Sequence, residues 1–226
     1  MTSVMRLLQF TDSAFPVGTF SFSNGLETAS FENIVTDAKT LEAFATSQSH
    51  QAAFSDGVAA IHTHRAFLKD DYTACKEIDE YIMRFKMNSE ARMMTTRMGK
   101  KLAELAVKLF DAPIISQWLD DIKSGTTPGS YPVAQGMIFA KAGIGEKELF
   151  CSHQYGVVNM VLGAALRCVK VSHYDTQLIL EKLAGEVEHL YNEAADMTLQ
   201  DMNAFYPELD ILASLHEKGN MRMFMN

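Results

Sequence analysis

Proline is scarce in this 226-residue chain: 5 in all, with none between Pro16 and Pro113 or between Pro132 and Pro207. An internal proline costs a helix roughly 3 kcal/mol, so such spans suit long helices. Cysteine is scarcer still: Cys75, Cys151 and Cys168 are odd in number and scattered in spacing. That excludes a paired disulfide framework and points to reduced thiols in a cytoplasmic protein. Basic residues are outnumbered, 20 against 28 acidic, giving a formal net charge of -8 and a pI near 5.3. A nucleic-acid partner normally leaves a basic footprint, and an anionic membrane surface is disfavoured on the same ground. Long apolar runs are missing as well. The uncharged stretch from Gln154 to Leu166 falls short of the roughly 20 residues a spanning helix needs, and reads as a buried helix. The N-terminus, MTSVMRLLQFTDS, has one arginine and too short an apolar run for a signal peptide.

Signatures of self-contained chemistry are also wanting. The chain has no G-x-x-x-x-G-K-[ST], no G-x-S-x-G, no H-E-x-x-H and no C-x-x-C. Gly99-Lys100-Lys101 lies inside a helical pattern, and Gly143-Ile144-Gly145 lacks the third glycine of a dinucleotide loop. His62 and His64 are two apart, which on a helix points them in different directions, and Cys151 with His153 has the same fault. His173 and His216 are isolated. No spacing singles out a metal-ligand set. An all-α enzyme would have to assemble dispersed groups such as Glu90, Arg92 and His216.

What is present is helical periodicity and apolar material, 47% of the residues. In 89-SEARMMTTRMGKKLAELAVKLF-110, Met94, Met98, Leu102, Leu105 and Leu109 recur every three or four residues, with charges on the other faces. In 176-TQLILEKLAGEVEHLYNEA-194, Leu180, Leu183, Val187, Leu190 and Tyr191 form a second stripe. Residues 37–68 read as one long helix or a broken pair, with Asp37 as N-cap. Residues 145–171 are apolar almost all round, the mark of a central helix shielded by its neighbours. Breaks fall at Lys69–Tyr72, Asp111–Pro113, 124-SGTTPGSYP-132 and Ala142–Gly145. With no composition shift and no internal repeat, the expectation is an all-α, single-domain multi-helix bundle spanning residues 1–226.

The two ends differ from this regular middle. Fourteen uncharged residues separate Asp12 from Glu27 in 12-DSAFPVGTFSFSNGLE-27, with three phenylalanines among them. Pro16, Gly18 and Gly25 would fix turns that present Phe15, Phe20 and Phe22, either as interface anchors or as a cap on the core. Both hold if Phe15 points inward and Phe20 outward. At the other end, Asp210–Lys218 fits a short amphipathic helix, with Gly219 as its stop. The closing MRMFMN places Met221, Met223, Phe224 and Met225 at a chain end, tucked into the core or held for a partner.

The opening stretch follows the pattern D-S-x-x-P-x-G-x-[FY]-x-x-S-x-G-L-E and resembles the N-terminal signature of the urease accessory protein UreF family. The likeness recurs at Glu90-x-Arg92, Arg97-Met98-Gly99, 131-YPVAQGMIFAKAGI-144, Val169-Lys170, His216-Glu217 and Arg222-Met223-Phe224, and so spans the chain. The resemblance implies an all-α protein with no catalytic activity and no stably bound cofactor. It implies a hub that binds a second accessory protein (UreD, also called UreH) and recruits the nickel-carrying GTPase UreG, as a homodimer. Nickel would be cargo in transit to the urease apoprotein. The partner-binding ends implied are the segment 1–27, through Asp12, Phe15, Pro16, Gly18, Phe20, Ser23, Gly25 and Glu27, and the tail 219–226. With the tail go Lys170, His216, Glu217, Arg222, Met223 and Phe224. Two departures stand out. Many relatives carry histidine at the position of Phe22, whose ring offers a metal no lone pair. After Lys170 this chain reads 172-SHYDTQ-177 where relatives often read P-L-G-Q.

Overall fold

The computed structural model describes residues 1–219 and 222–225. Met221, named above with the apolar tail, lies outside the described residues, as do Asn220 and Asn226. The chain is all-α: helices α1 (Thr2–Thr11), α2 (Leu26–Phe31), α3 (Ala38–Ala52), α4 (Val58–Phe67), α5 (Tyr72–Ile82) and α6 (Ser89–Leu109) are followed by α7 (Pro113–Ser124), α8 (Tyr131–Lys141), α9 (Glu146–Cys168), α10 (His173–Ala184), α11 (Val187–Asp196) and α12 (Pro207–His216). No strand occurs among the described residues.

Local chemistry explains where the elements begin. Asp37 accepts the Thr40 N–H at 2.9 Å to start α3, and Asn88 accepts the Ala91 N–H at 2.7 Å to start α6. Pro113, Pro132 and Pro207 sit in first turns, where the missing N–H costs nothing. Because Pro207 opens α12, this helix runs earlier than the expected Asp210–Lys218.

Two cores share one helix. The larger gathers α4, α5, α6, α7 and α8 around Trp118, Phe139 and Phe150; the smaller gathers α2, α3, α10 and α12 around Leu26, Leu41 and Leu212. The long α9 places Leu149 and Phe150 in the first and Val158, Val161, Leu162 and Ala165 in the second, which is why its sequence is apolar on nearly every side. By length and composition α9 could cross a membrane, yet 61% of its most apolar window is buried inside the fold. It is the central buried helix.

Helices meet closely where side chains are missing. A Cβ on Gly136 of α8 would sit 2.7 Å from the Ala60 carbonyl oxygen of α4, and one on Gly99 of α6 would sit 2.1 Å from the Gly129 carbonyl oxygen. Between α3 and α4 a π-helical segment (Ala53–Gly57) keeps the rod continuous, and Gly57 leaves room for the Phe150 ring.

The structure departs from the periodic reading in two places. The stripe over 176–194 breaks into α10 and α11 because it serves both cores: Leu180 and Leu183 pack into the smaller, Val187, Leu190 and Tyr191 into the larger. In α6 the buried face rotates toward Gly99, Ala103 and Ala106, leaving Leu109 47% exposed.

Buried Asp79 on α5 holds the loop before α8, accepting from the Thr127 hydroxyl at 2.7 Å and from the Gly129 and Ser130 N–H groups at 2.8 Å each. Burial pushes its pKa up and these hydrogen bonds pull it down, with burial the stronger. Asp79→Ala strands two buried backbone donors, each costing about 1–3 kcal/mol. A clear fall in thermal midpoint, with faster proteolysis between residues 124 and 130, is the expected result.

Candidate functional site at the joined chain ends

The segment after α1 is built by its turns. Asp12 ends the helix, and its Oδ1 accepts the Ala14 N–H at 2.6 Å. Phe15 turns inward, its ring centroid 5.3 Å from that of Phe10, while Pro16 stays exposed. Gly18, at φ +89°, starts a short 3₁₀ turn (Thr19–Ser21). That turn carries Phe20 outward, 70% exposed, and returns Phe22 inward against Met98 and Met160. Gly25, at φ +80°, lets α12 approach: a Cβ there would lie 3.0 Å from the Ala213 nitrogen. Ser23 is buried and its Oγ accepts the Glu27 N–H at 3.5 Å.

The tail folds back onto this segment. His216, at the end of α12, lies between two buried carboxylates: Nε2 is 2.9 Å from Glu27 Oε2 and Nδ1 is 2.9 Å from Glu90 Oε2. Both ring nitrogens are thus engaged by carboxylate oxygens. Arg222 donates to Glu90 Oε1 at 2.7 Å. The second carboxylate is met by backbone, as Met223 and Phe224 donate their N–H groups to Glu27 at 2.7 and 3.1 Å. Both carboxylates are therefore met by hydrogen-bond donors within one closed cluster, the condition under which buried polar groups are tolerated. Glu217 completes the seam, accepting from Ser89 N–H at 2.8 Å and Ser89 Oγ at 2.6 Å at the start of α6. Met225 N–H donates to the Ser21 carbonyl at 2.8 Å.

Of the residues singled out in the sequence, Ser23, Gly25, Glu27, His216 and Phe224 are buried and form the platform. They are enclosed by the chain itself, so they do not present side chains outward. Phe20, Met223 and Met225 stand out from that platform, the last two 58% and 40% exposed. Asp12, Pro16, Glu217 and Arg222 are exposed on it, while Phe15 and Gly18 are half-buried. Lys170 is exposed just beyond the end of α9. The Glu27–His216–Glu90–Arg222 connection spans up to 189 residues, and no sequence spacing announces it.

The dispersed catalytic set does not assemble into a reactive one. Glu90 and His216 meet, but both imidazole nitrogens are engaged, and Arg92 is exposed without joining them. His62 and His64 give their Nε2 atoms to the carbonyls of Met197 and Ile144 at 2.8 and 2.9 Å. Cys151 is exposed, whereas His153 is buried with its Nδ1 2.7 Å from Gln135 Oε1. Among the described residues no three His, Cys, Asp or Glu side chains cluster as a metal site.

An all-helical body whose polar cluster joins its own ends, and which exposes Phe20, Met223 and Met225 beside it, has the surface make-up of a protein that works through an interface. The comparisons make the family specific. The UreF family model matches residues 35–184. The chain is 46% identical over 226 residues to the urease accessory protein UreF 2 of Brucella canis, covering 100% of this chain and 93% of that one. It is 41% identical over 225 residues to the urease accessory protein UreF of Yersinia enterocolitica, covering 100% and 99%. The chain belongs to the UreF family of urease accessory proteins.

Proposed function

We propose that this chain is the docking component through which a second accessory protein of the UreD/UreH type and a nickel-carrying GTPase of the UreG type act on the urease apoprotein. It works in the cytoplasm as a homodimer, and nickel is the cargo of the assembly. One observation carries the reading: Phe20, Met223 and Met225 are exposed on a surface that a buried charge cluster holds in place. Large apolar groups presented on an ordered platform are the usual anchors of a protein interface. The relatives carry the name urease accessory protein, which supports the same pathway. The outward face of α1, with Val4, Met5 and Leu8 exposed, extends the apolar area.

Expression of the urease gene cluster with and without this gene tests the proposal. Urease isolated without it is expected to be nickel-poor and inactive, with its subunits assembled. Full nickel content in its absence would refute the reading.

A further inference from the structure

The whole chain is acidic, but the rim of the joined ends is not. Arg167, on α9, donates Nη2 to the Phe20 carbonyl at 3.0 Å and lays its guanidinium 4.0 Å from the Phe224 ring centroid. Arg97, on α6, reaches the Met225 sulfur at 3.9 Å. Both are exposed, and among the described residues neither has a carboxylate within ion-pair distance, in contrast to Arg65 and Arg222. Of the nearby acids, Glu27 and Glu90 lie within the buried cluster and Glu217 caps the start of α6, while exposed Asp12 accepts from its own turn. Two guanidinium groups with no carboxylate partner among the described residues thus flank three exposed apolar side chains.

Beside Phe20 the surface dips into a depression of about 340 Å³, lined among others by Asp12, Gly156, Asn159, Gly163 and Arg167. A Cβ added at Gly156 or Gly163 would meet nothing within 4 Å, so an incoming side chain can lie against the backbone of α9.

We propose that this rim selects an acidic protein face: carboxylates of the partner pair with Arg97 and Arg167 while its apolar surface covers Phe20 and Met223. The inference rests on the docking role above and names the chemistry of what docks. Guanidinium groups pair bidentately with carboxylates, and rim charges set association rate and partner choice. On a chain of net charge -8 this local pair of cations also helps orient an acidic partner toward this surface.

The test is biolayer interferometry of the full chain against the purified UreG-type and UreD-type proteins of the same gene cluster, at about 50 and about 300 mM NaCl. Binding of the wild type to at least one of them should weaken with salt. Arg97→Glu with Arg167→Glu should lower that affinity about tenfold or more and flatten its salt dependence, whereas Arg97→Lys with Arg167→Lys should stay within about threefold. Arg97→Glu alone, on the outer face of α6, should still weaken association about threefold, so the test survives a poorly folded double variant. Unchanged affinity and salt slope in the glutamate variants would overturn the inference and leave the docking role standing. So would equal losses in the lysine and glutamate variants, or equally strong binding to phosphatidylserine vesicles. Wild-type binding to neither protein would overturn the docking role together with the inference.

Discussion

His216→Ala should cost this protein more stability than any surface change, about 3–5 kcal/mol, because it removes the shared partner of two buried carboxylates. Glu27 and Glu90 would face each other across the vacated site with their charges only partly met, by Arg222 and by two backbone N–H groups. Truncating one member of a buried charge cluster costs far more than losing one hydrogen bond, since the remaining charges stay desolvated. For a domain of this size, 1 kcal/mol shifts the thermal midpoint by about 2–4 °C, so a drop on the order of 10 °C is expected. The tail should loosen as well, since Glu27 holds the backbone of Met223 and Phe224. Thermal unfolding by circular dichroism, with carboxypeptidase digestion as a second readout, measures both. A variant with unchanged midpoint and a protected tail would show that the cluster does not join the ends.

The second large effect is functional. Phe20→Asp with Met223→Asp places charge on two exposed side chains that contribute little to either core. Stability should therefore move by less than about 1 kcal/mol, as surface substitutions do. Apolar anchors of an interface are worth about 2 kcal/mol or more each, which is roughly thirtyfold per anchor in affinity. Urease matured in cells carrying this double variant should hold less than about a tenth of its normal nickel. Deleting the tail is a poorer experiment. It would take away Arg222 and two backbone donors from buried carboxylates, and so confound docking with folding.

The middle of the fold was legible because its periodicity answers to local rules. The all-round apolar character of residues 145–171 predicts the central helix α9, and Asp37 marks the start of α3. Legibility failed where one segment serves two masters. The stripe from Leu180 to Tyr191 looks continuous, but its halves pack into different cores, and the chain bends at Gly185–Glu186 to allow it. Leu109 keeps the apolar spacing of α6 yet lies at its exposed end. At the ends, the inward Phe15 and outward Phe20 agree with the turn chemistry of Pro16 and Gly18. The role of Glu27, Glu90, His216 and Arg222 was hidden, since each is an ordinary polar residue until the fold links them in a run of contacts of 2.7 to 2.9 Å. Arg97 and Arg167 likewise acquire meaning from having no carboxylate partner among the described residues, which no linear pattern records.

Native mass spectrometry of the purified chain with the UreD-type and UreG-type proteins bears most directly on the idea that this molecule acts by contact alone. The wild type should form a complex whose mass includes both proteins, and Phe20→Asp/Met223→Asp should remain apart from at least one of them while keeping its own thermal midpoint. A double variant that assembles as fully as the wild type would contradict it.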